Sequence, residues 1–177
     1  FDRDTDTLLI TKTDGLYSYA SDGQVRNLAT LFRQFGHSQN FVGAYTWNGH
    51  VLLPVGAGGL LDFDYASGTI KDISLSVLAP EQSDLHGKIV AMHGDPTSLF
   101  VLLKAATTNH YYVLQGQEVA HEGMSEFRWH ILAKLGAAGT LYENRTALLV
   151  DTSRTGRRRL WIGYEEASVS SMPYFIA

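Results

Sequence analysis

Phe41-Val42-Gly43-Ala44-Tyr45-Thr46-Trp47-Asn48-Gly49-His50-Val51-Leu52-Leu53-Pro54-Val55 reads as a strand, a two-residue turn and a second strand. Asn48-Gly49 is the strongest hairpin signal in the chain, because both central residues of such a turn need positive φ. Val51-Leu52-Leu53 is a continuous apolar run, which suits a strand buried on both faces. A glycine-rich loop, Gly56-Ala57-Gly58, leads to a third strand, Gly59-Leu60-Leu61-Asp62-Phe63. A turn at Ala66-Ser67-Gly68 leads to a fourth and more polar one, Ile70-Lys71-Asp72-Ile73. Strands A to D, joined by short turns, make an antiparallel meander.

The same unit recurs outward from this stretch. Apolar runs stand at Leu8-Leu9-Ile10, Val51-Leu52-Leu53, Phe100-Val101-Leu102-Leu103 and Ala147-Leu148-Leu149-Val150, some 43 to 49 residues apart. Each is followed by a loop and an aromatic- or leucine-bearing strand: Gly15 to Tyr19, Gly59 to Phe63, Tyr111 to Leu114 and Leu160 to Tyr164. Val25 superposes on Ile70 and Leu28 on Ile73. Strand-and-turn pairs precede three of the runs: Phe41 to Trp47 with Asn48-Gly49, Lys88 to Met92 with Gly94-Asp95-Pro96, and Gly139 to Tyr142 with Glu143-Asn144-Arg145. A four-stranded unit of this period is the β-propeller blade, and blades must stack because one twisted sheet cannot bury both its faces alone. The expectation is an all-β chain of about four consecutive blades, at about 7–32, 41–78, 87–133 and 138–177, in one domain that is part of a larger propeller. The alternative is a sandwich or irregular barrel. Leu28, Leu31, Phe32 and Phe35 have helical spacing, which predicts a short helical turn between blades. Residues 76–88 and 117–127 read as longer excursions.

Composition bounds the function. The chain has 177 residues, 45% hydrophobic and 18% charged, which is globular. A net charge of −4 gives no general attraction to nucleic acid or an anionic membrane. The absence of cysteine excludes disulfides, thiolate zinc sites and a cysteine nucleophile. No apolar run reaches the roughly 20 residues of a membrane span, and no signal peptide is visible. Asp2, Asp4 and Asp6 imitate a calcium loop, but Thr7 and Thr13 stand where glycine and glutamate belong. The histidines show no zinc-ligand spacing. Neither Gly-x-Ser-x-Gly nor a phosphate-binding loop occurs. These readings predict no enzyme activity, no catalytic residues, no metal and no cofactor.

Candidate binding residues follow from the scaffold. The B–C loops differ from copy to copy: Thr11 to Asp14, Pro54 to Gly58, Ala105 to His110 and Thr152 to Arg158. Variable loops on a rigid frame are where recognition usually resides. Asp14, Asn109, His110, Arg154 and Arg157 are therefore expected on one face. The arginine cluster 154–159 suits phosphate, sulfate or carboxylate.

Three stretches, Tyr45 to Gly56, Gly59 to Tyr65 and Arg159 to Gly163 with Pro173 to Ile176, resemble the propeller-like repeats of tail-associated and other structural proteins of environmental bacteriophages. The resemblance spans about residues 7–177 and rests on strand and turn residues. It implies a structural or host-surface-binding role in an extracellular virion, with other virion proteins or a host glycan or protein as partners. It carries over no catalytic residue. The alternatives are a carbohydrate-binding or glycoside-active propeller and an intracellular, cytoplasmic protein-interaction scaffold. None of these readings involves nucleic acid or membrane insertion.

Overall fold

A computed structural model of the chain describes residues 7–12, 15–28, 43–55, 58–75, 85–108, 110–121, 124–136, 143–151, 159–166 and 172–176. These residues form an all-β structure of four antiparallel sheets, each built from strands consecutive in sequence. The sheets fall into two compact units, Phe1–Pro80 and Glu81–Ala177. The helix-like stretch from Leu31 to Phe35 lies outside the described residues.

The first unit holds two sheets. One consists of β1 (Thr7–Lys12), β2 (Gly15–Ala20) and β3 (Val25–Asn27) in that order. The other runs β4 (Tyr45–Trp47), β5 (His50–Val55), β6 (Gly59–Asp64) and β7 (Thr69–Asp72). Asn48 and Gly49 turn between β4 and β5 with φ of 49° and 80°, the paired positive values that this turn demands. Leu28 N–H donates to the Leu16 carbonyl at 2.8 Å, and Ile73 N–H to the Leu60 carbonyl at 3.0 Å. The same bond in the same place matches β2 to β6 and β3 to β7, so the first sheet presents strands B, C and D. Leu16 is buried with Val51, Leu53, Val55, Leu61 and Phe63, and Leu9 and Leu28 pack against that cluster. Leu52 and Leu60, on the opposite face of the second sheet, are equally buried. A two-layer sandwich leaves the outer face of each sheet open; β5 has no open face, as a stacked blade requires.

The turn between β6 and β7 is held by one carboxylate. Asp64 accepts from the Ser67 hydroxyl at 2.6 Å, the Ala66 N–H at 3.0 Å and the Ser67 N–H at 3.3 Å. The Ser67 hydroxyl bond is the main reason that the Asp64 pKa lies below the ordinary carboxylate value. A depressed carboxyl pKa adds stability that is present above the unfolded value and is lost as pH falls through the folded one. Ser67→Ala should therefore move the Asp64 titration up toward the ordinary range. Carboxyl NMR reads this directly, and an unmoved midpoint would remove the hydroxyl as the cause.

The second unit pairs a four-stranded with a three-stranded sheet. The first consists of β8 (Gly87–Asp95), β9 (Ser98–Ala105), β10 (Tyr111–His121) and β11 (Met124–Leu135). The second consists of β12 (Glu143–Asp151), β13 (Arg159–Glu166) and β14 (Met172–Ile176). Ala91, Phe100, Leu102, Tyr111 and Val113 meet Leu148, Val150, Leu160 and Ile162 between the sheets. Leu99, Val101, Leu103 and Leu114, on the other face of the four-stranded sheet, are also buried.

Four expectations need correction here. The β8–β9 turn is at Pro96-Thr97 rather than Gly94-Asp95-Pro96, because the Asp95 carboxylate accepts from the Thr97 and Ser98 N–H groups and closes the turn later. Residues 117–121 and 124–127 are strand, not an excursion; β10 and β11 pair with each other past the end of β9, which pairs only as far as Leu99↔Gly116. The four apolar runs are expected to form central strands; among the described residues Leu52 and Leu102 lie on such strands, whereas Leu9 and Leu148 lie on edge strands. Glu143-Asn144-Arg145 belongs to β12 and makes no turn.

Among the described residues β12 is the first strand of its sheet, and the strand expected before it, at 139–142, lies outside them. Val150 N–H donates to His93 Nδ1 at 3.3 Å, and Leu148 and Val150 share a core cluster with Ala91.

Candidate functional site

The sheet topology sorts the expected binding residues. The β1–β2 connection carrying Asp14 and the β9–β10 connection carrying Asn109 and His110 are both B–C loops. Arg154 and Arg157 fall between β12 and β13. Asp14, Asn109, Arg154 and Arg157 themselves lie outside the described residues.

His110 is half-buried and built into its loop. Its N–H donates to Thr108 Oγ1 at 3.4 Å, and its carbonyl accepts from the Ala105 N–H at 2.8 Å. Its Nδ1 is enclosed with no hydrogen-bond partner in the structure. The loop is thus closed by its own backbone, and the imidazole is held at the mouth of the β9–β10 hairpin.

Two side-chain groups escaped the sequence reading. His50 Nδ1 lies 2.8 Å from Asp62 Oδ1, with Asp62 almost wholly buried and His50 about a third exposed. His50 begins β5 and Asp62 sits on β6, so only strand register brings them together across 12 residues. The carboxylate fixes the imidazole, and the pair cross-links two strands where a buried charge would otherwise be costly. The second group is an aromatic ledge on the projecting β10–β11 hairpin. Phe127 and Trp129 alternate on one face of β11, with ring centroids 5.1 Å apart and planes at 66°. Gly116 on β10 makes room for them: a Cβ there would lie 2.5 Å from Phe127 and 2.9 Å from Trp129. Glu118 pairs directly with Phe127. The signal for the ledge was the alternation Phe127-x-Trp129 opposite a glycine, visible only once the register is known.

Among the described residues no group of three or more His, Cys, Asp or Glu is placed to hold a metal ion, and no helix is long and apolar enough to cross a membrane.

Antiparallel meanders that stack face to face in pairs within each unit, with β5 and β9 buried on both sides, define an all-β protein of β-propeller blade construction. No family model matches the chain, and no curated protein matches it. Among solved structures it is similar to the N-terminal domain of Nup159, with 11% identity and a TM-score of 0.48 over 97% of this chain. It is also similar to a chain in an S. cerevisiae complex of Dbp5 with Nup159, Gle1, IP6 and ADP, with 13% identity and a TM-score of 0.44 over 97% of this chain. The chain spans 45% of the length of each.

Proposed function

We propose that the chain is a non-enzymatic structural or recognition module, a tail-associated propeller segment of a phage virion. Its partners are then other virion proteins or a host-surface glycan or protein. The observation that supports recognition is the contrast between repeated strands and B–C loops that differ in every copy. Repetition supplies the frame, and the loops supply the chemistry. Asp14, Asn109, His110, Arg154 and Arg157 are the binding residues of this reading. A glycan array probed with the purified chain tests it, together with pull-down against isolated virion proteins. Binding should fall at least tenfold in Asn109→Ala/His110→Ala, weaken in Arg157→Glu for an acidic partner, and stay unchanged in Asn48→Asp. Loss in Asn48→Asp, or turnover of a glycoside by the chain, would refute the assignment.

A carbohydrate-binding propeller is the second reading, and the Phe127–Trp129 ledge beside Glu118 favours it. An edge-to-face aromatic pair next to a carboxylate suits the apolar face and the hydroxyls of a sugar ring. In that case Trp129→Ala, rather than the loop variant, removes the array signal.

A further inference from the structure

Charge is segregated along the third sheet. Its lysines, Lys88 on β8, Lys104 on β9 and Lys134 on β11, all stand at the end where β9 turns into β10. Its described carboxylates, Asp95, Glu118 and Glu126, stand at or beyond the other end of β9, where Glu126 takes up Arg128 at 2.8 Å. Two imidazoles share the lysine end. The Ala105 N–H donates to the His110 carbonyl and the Ala106 N–H to the His86 carbonyl, so these residues flank the start of the β9–β10 loop, which Thr107 and Thr108 continue. Among the described residues no carboxylate stands at this end.

Register sets the lysines in a costly arrangement. Lys88 lies directly opposite Lys104, and like charges so placed repel. Among the described residues no carboxylate is paired with any of the three lysines. Lys104 Nζ stands 5.7 Å from the centre of the Tyr111 ring, and Lys134 Nζ 5.5 Å from that of Tyr112. Both rings are almost wholly buried, so each ammonium rests on a fixed platform. Tyr111 and Tyr112 point to opposite faces of the sheet, and their cross-strand partners Lys104 and Lys134 do the same.

An ammonium is a point charge, without the fork by which a guanidinium grips one oxyanion. Three of them on three strands and two faces do not converge on a single small anion. They suit a chain that carries acidic groups at intervals and crosses the end of the sheet. The hydroxyls and imidazoles between them can hydrogen-bond sugar hydroxyls. Leu103, Tyr111 and Tyr112 are buried there and offer no apolar surface to the side chains of a peptide.

We propose that this end of the third sheet binds an acidic glycan, a polysaccharide chain bearing carboxylate or sulfate groups. This rests on the reading of the B–C loops as the recognition surface, and it names the chemistry that the Asn109–His110 loop meets. An anion placed between Lys88 and Lys104 turns their repulsion into attraction, so the ligand relieves a cost that the free sheet bears.

Binding of polygalacturonate, dextran sulfate, neutral dextran and polyglutamate to the immobilised chain tests this. At least one of the two acidic polysaccharides should bind, and the stronger of them identifies carboxylate or sulfate as the group read. Its affinity should fall as salt rises, and neutral dextran should not bind. Lys104→Gln/Lys134→Gln should weaken binding by about tenfold. Arg26→Gln/Lys71→Gln, which removes the same charge from the first unit, should leave it unchanged. Circular dichroism confirms that each variant is folded; Lys88→Gln, at an exposed position, replaces the lysine pair if that variant is not. Failure of both acidic polysaccharides to bind overturns the proposal. So does an equal loss in the Arg26→Gln/Lys71→Gln control, which would mean a response to overall charge alone. Polyglutamate binding as tightly as the better polysaccharide also overturns it, since the partner would then be an acidic peptide. Binding of a neutral glycan or a virion protein that is lost in Asn109→Ala/His110→Ala, with no effect of the lysine variants, would leave the recognition reading standing while this one falls.

Discussion

Leu102→Ala is expected to lower the unfolding free energy by about 2–5 kcal/mol, the range for a buried leucine whose cavity the surroundings only partly fill. Leu102 lies on β9 with Ala91 and Val113 directly opposite it on β8 and β10. It is fully buried in the cluster that joins the third and fourth sheets, facing Leu148, Val150, Leu160 and Ile162. Both strand neighbours are fixed by backbone pairing, so neither can move in to fill the space. Leu8→Ala, on the open face of the first sheet, removes the same atoms from a half-exposed position and should cost well under 1 kcal/mol in the monomer. Urea unfolding followed by tryptophan fluorescence gives both values. A typical domain has about 5–15 kcal/mol of stability in total, so the larger loss is visible without extrapolation. A cost for Leu102→Ala no greater than that for Leu8→Ala would contradict the stacked-sheet core.

The repeat was legible in the sequence because it rests on local signals. Asn48-Gly49 demands its own turn geometry whatever surrounds it, and Val51-Leu52-Leu53 announces burial on both faces. The superposition of Leu28 on Ile73 held because both close the same backbone bond to the preceding strand. The packing of the fourth sheet was less legible, because an apolar run marks a buried strand and carries no strand letter. The contact between Val150 and His93 joins residues 57 apart in sequence, and no local signal announces it.

The side-chain groups were hidden for a related reason. His50 and Asp62 are ordinary polar residues of two strands until the register sets one beside the other. Gly116 reads as a weak point in a strand and becomes intelligible only with Phe127 and Trp129 packed over it. Pairing distance, not composition, makes these arrangements, so alternation alone could suggest strands there and nothing more.

Gly87→Ala should be at least as damaging as the loss of Leu102, and for the opposite cause. A Cβ at Gly87 would collide with the Lys104 carbonyl oxygen and lie 2.8 Å from the Ala105 Cα. All of the nearest atoms belong to the backbone of β9, the central strand, so no side-chain rotation relieves the clash. Gly87 pairs with Ala105 at the end of the β8–β9 ladder, next to the 2.9 Å bond from the Ala106 N–H to the His86 carbonyl. The methyl must either push β8 away, breaking that pairing, or distort the turn that Ala105 closes with His110. Overpacking usually costs about 1–3 kcal/mol and occasionally more, and a contact this short with immobile backbone places Gly87→Ala at or beyond the upper end. Gly136→Ala is the control, because nothing lies within 4 Å of a Cβ there and its cost should stay within about 0.5 kcal/mol. Thermal unfolding separates the two variants, and hydrogen exchange locates the damage. The Ala105 and Ala106 amides should lose protection in Gly87→Ala, while those of β5 and β6 keep theirs. Equal melting temperatures for the two variants would mean that β8 and β9 do not approach as closely as Gly87 allows, and the register at that end of the third sheet would have to be redrawn.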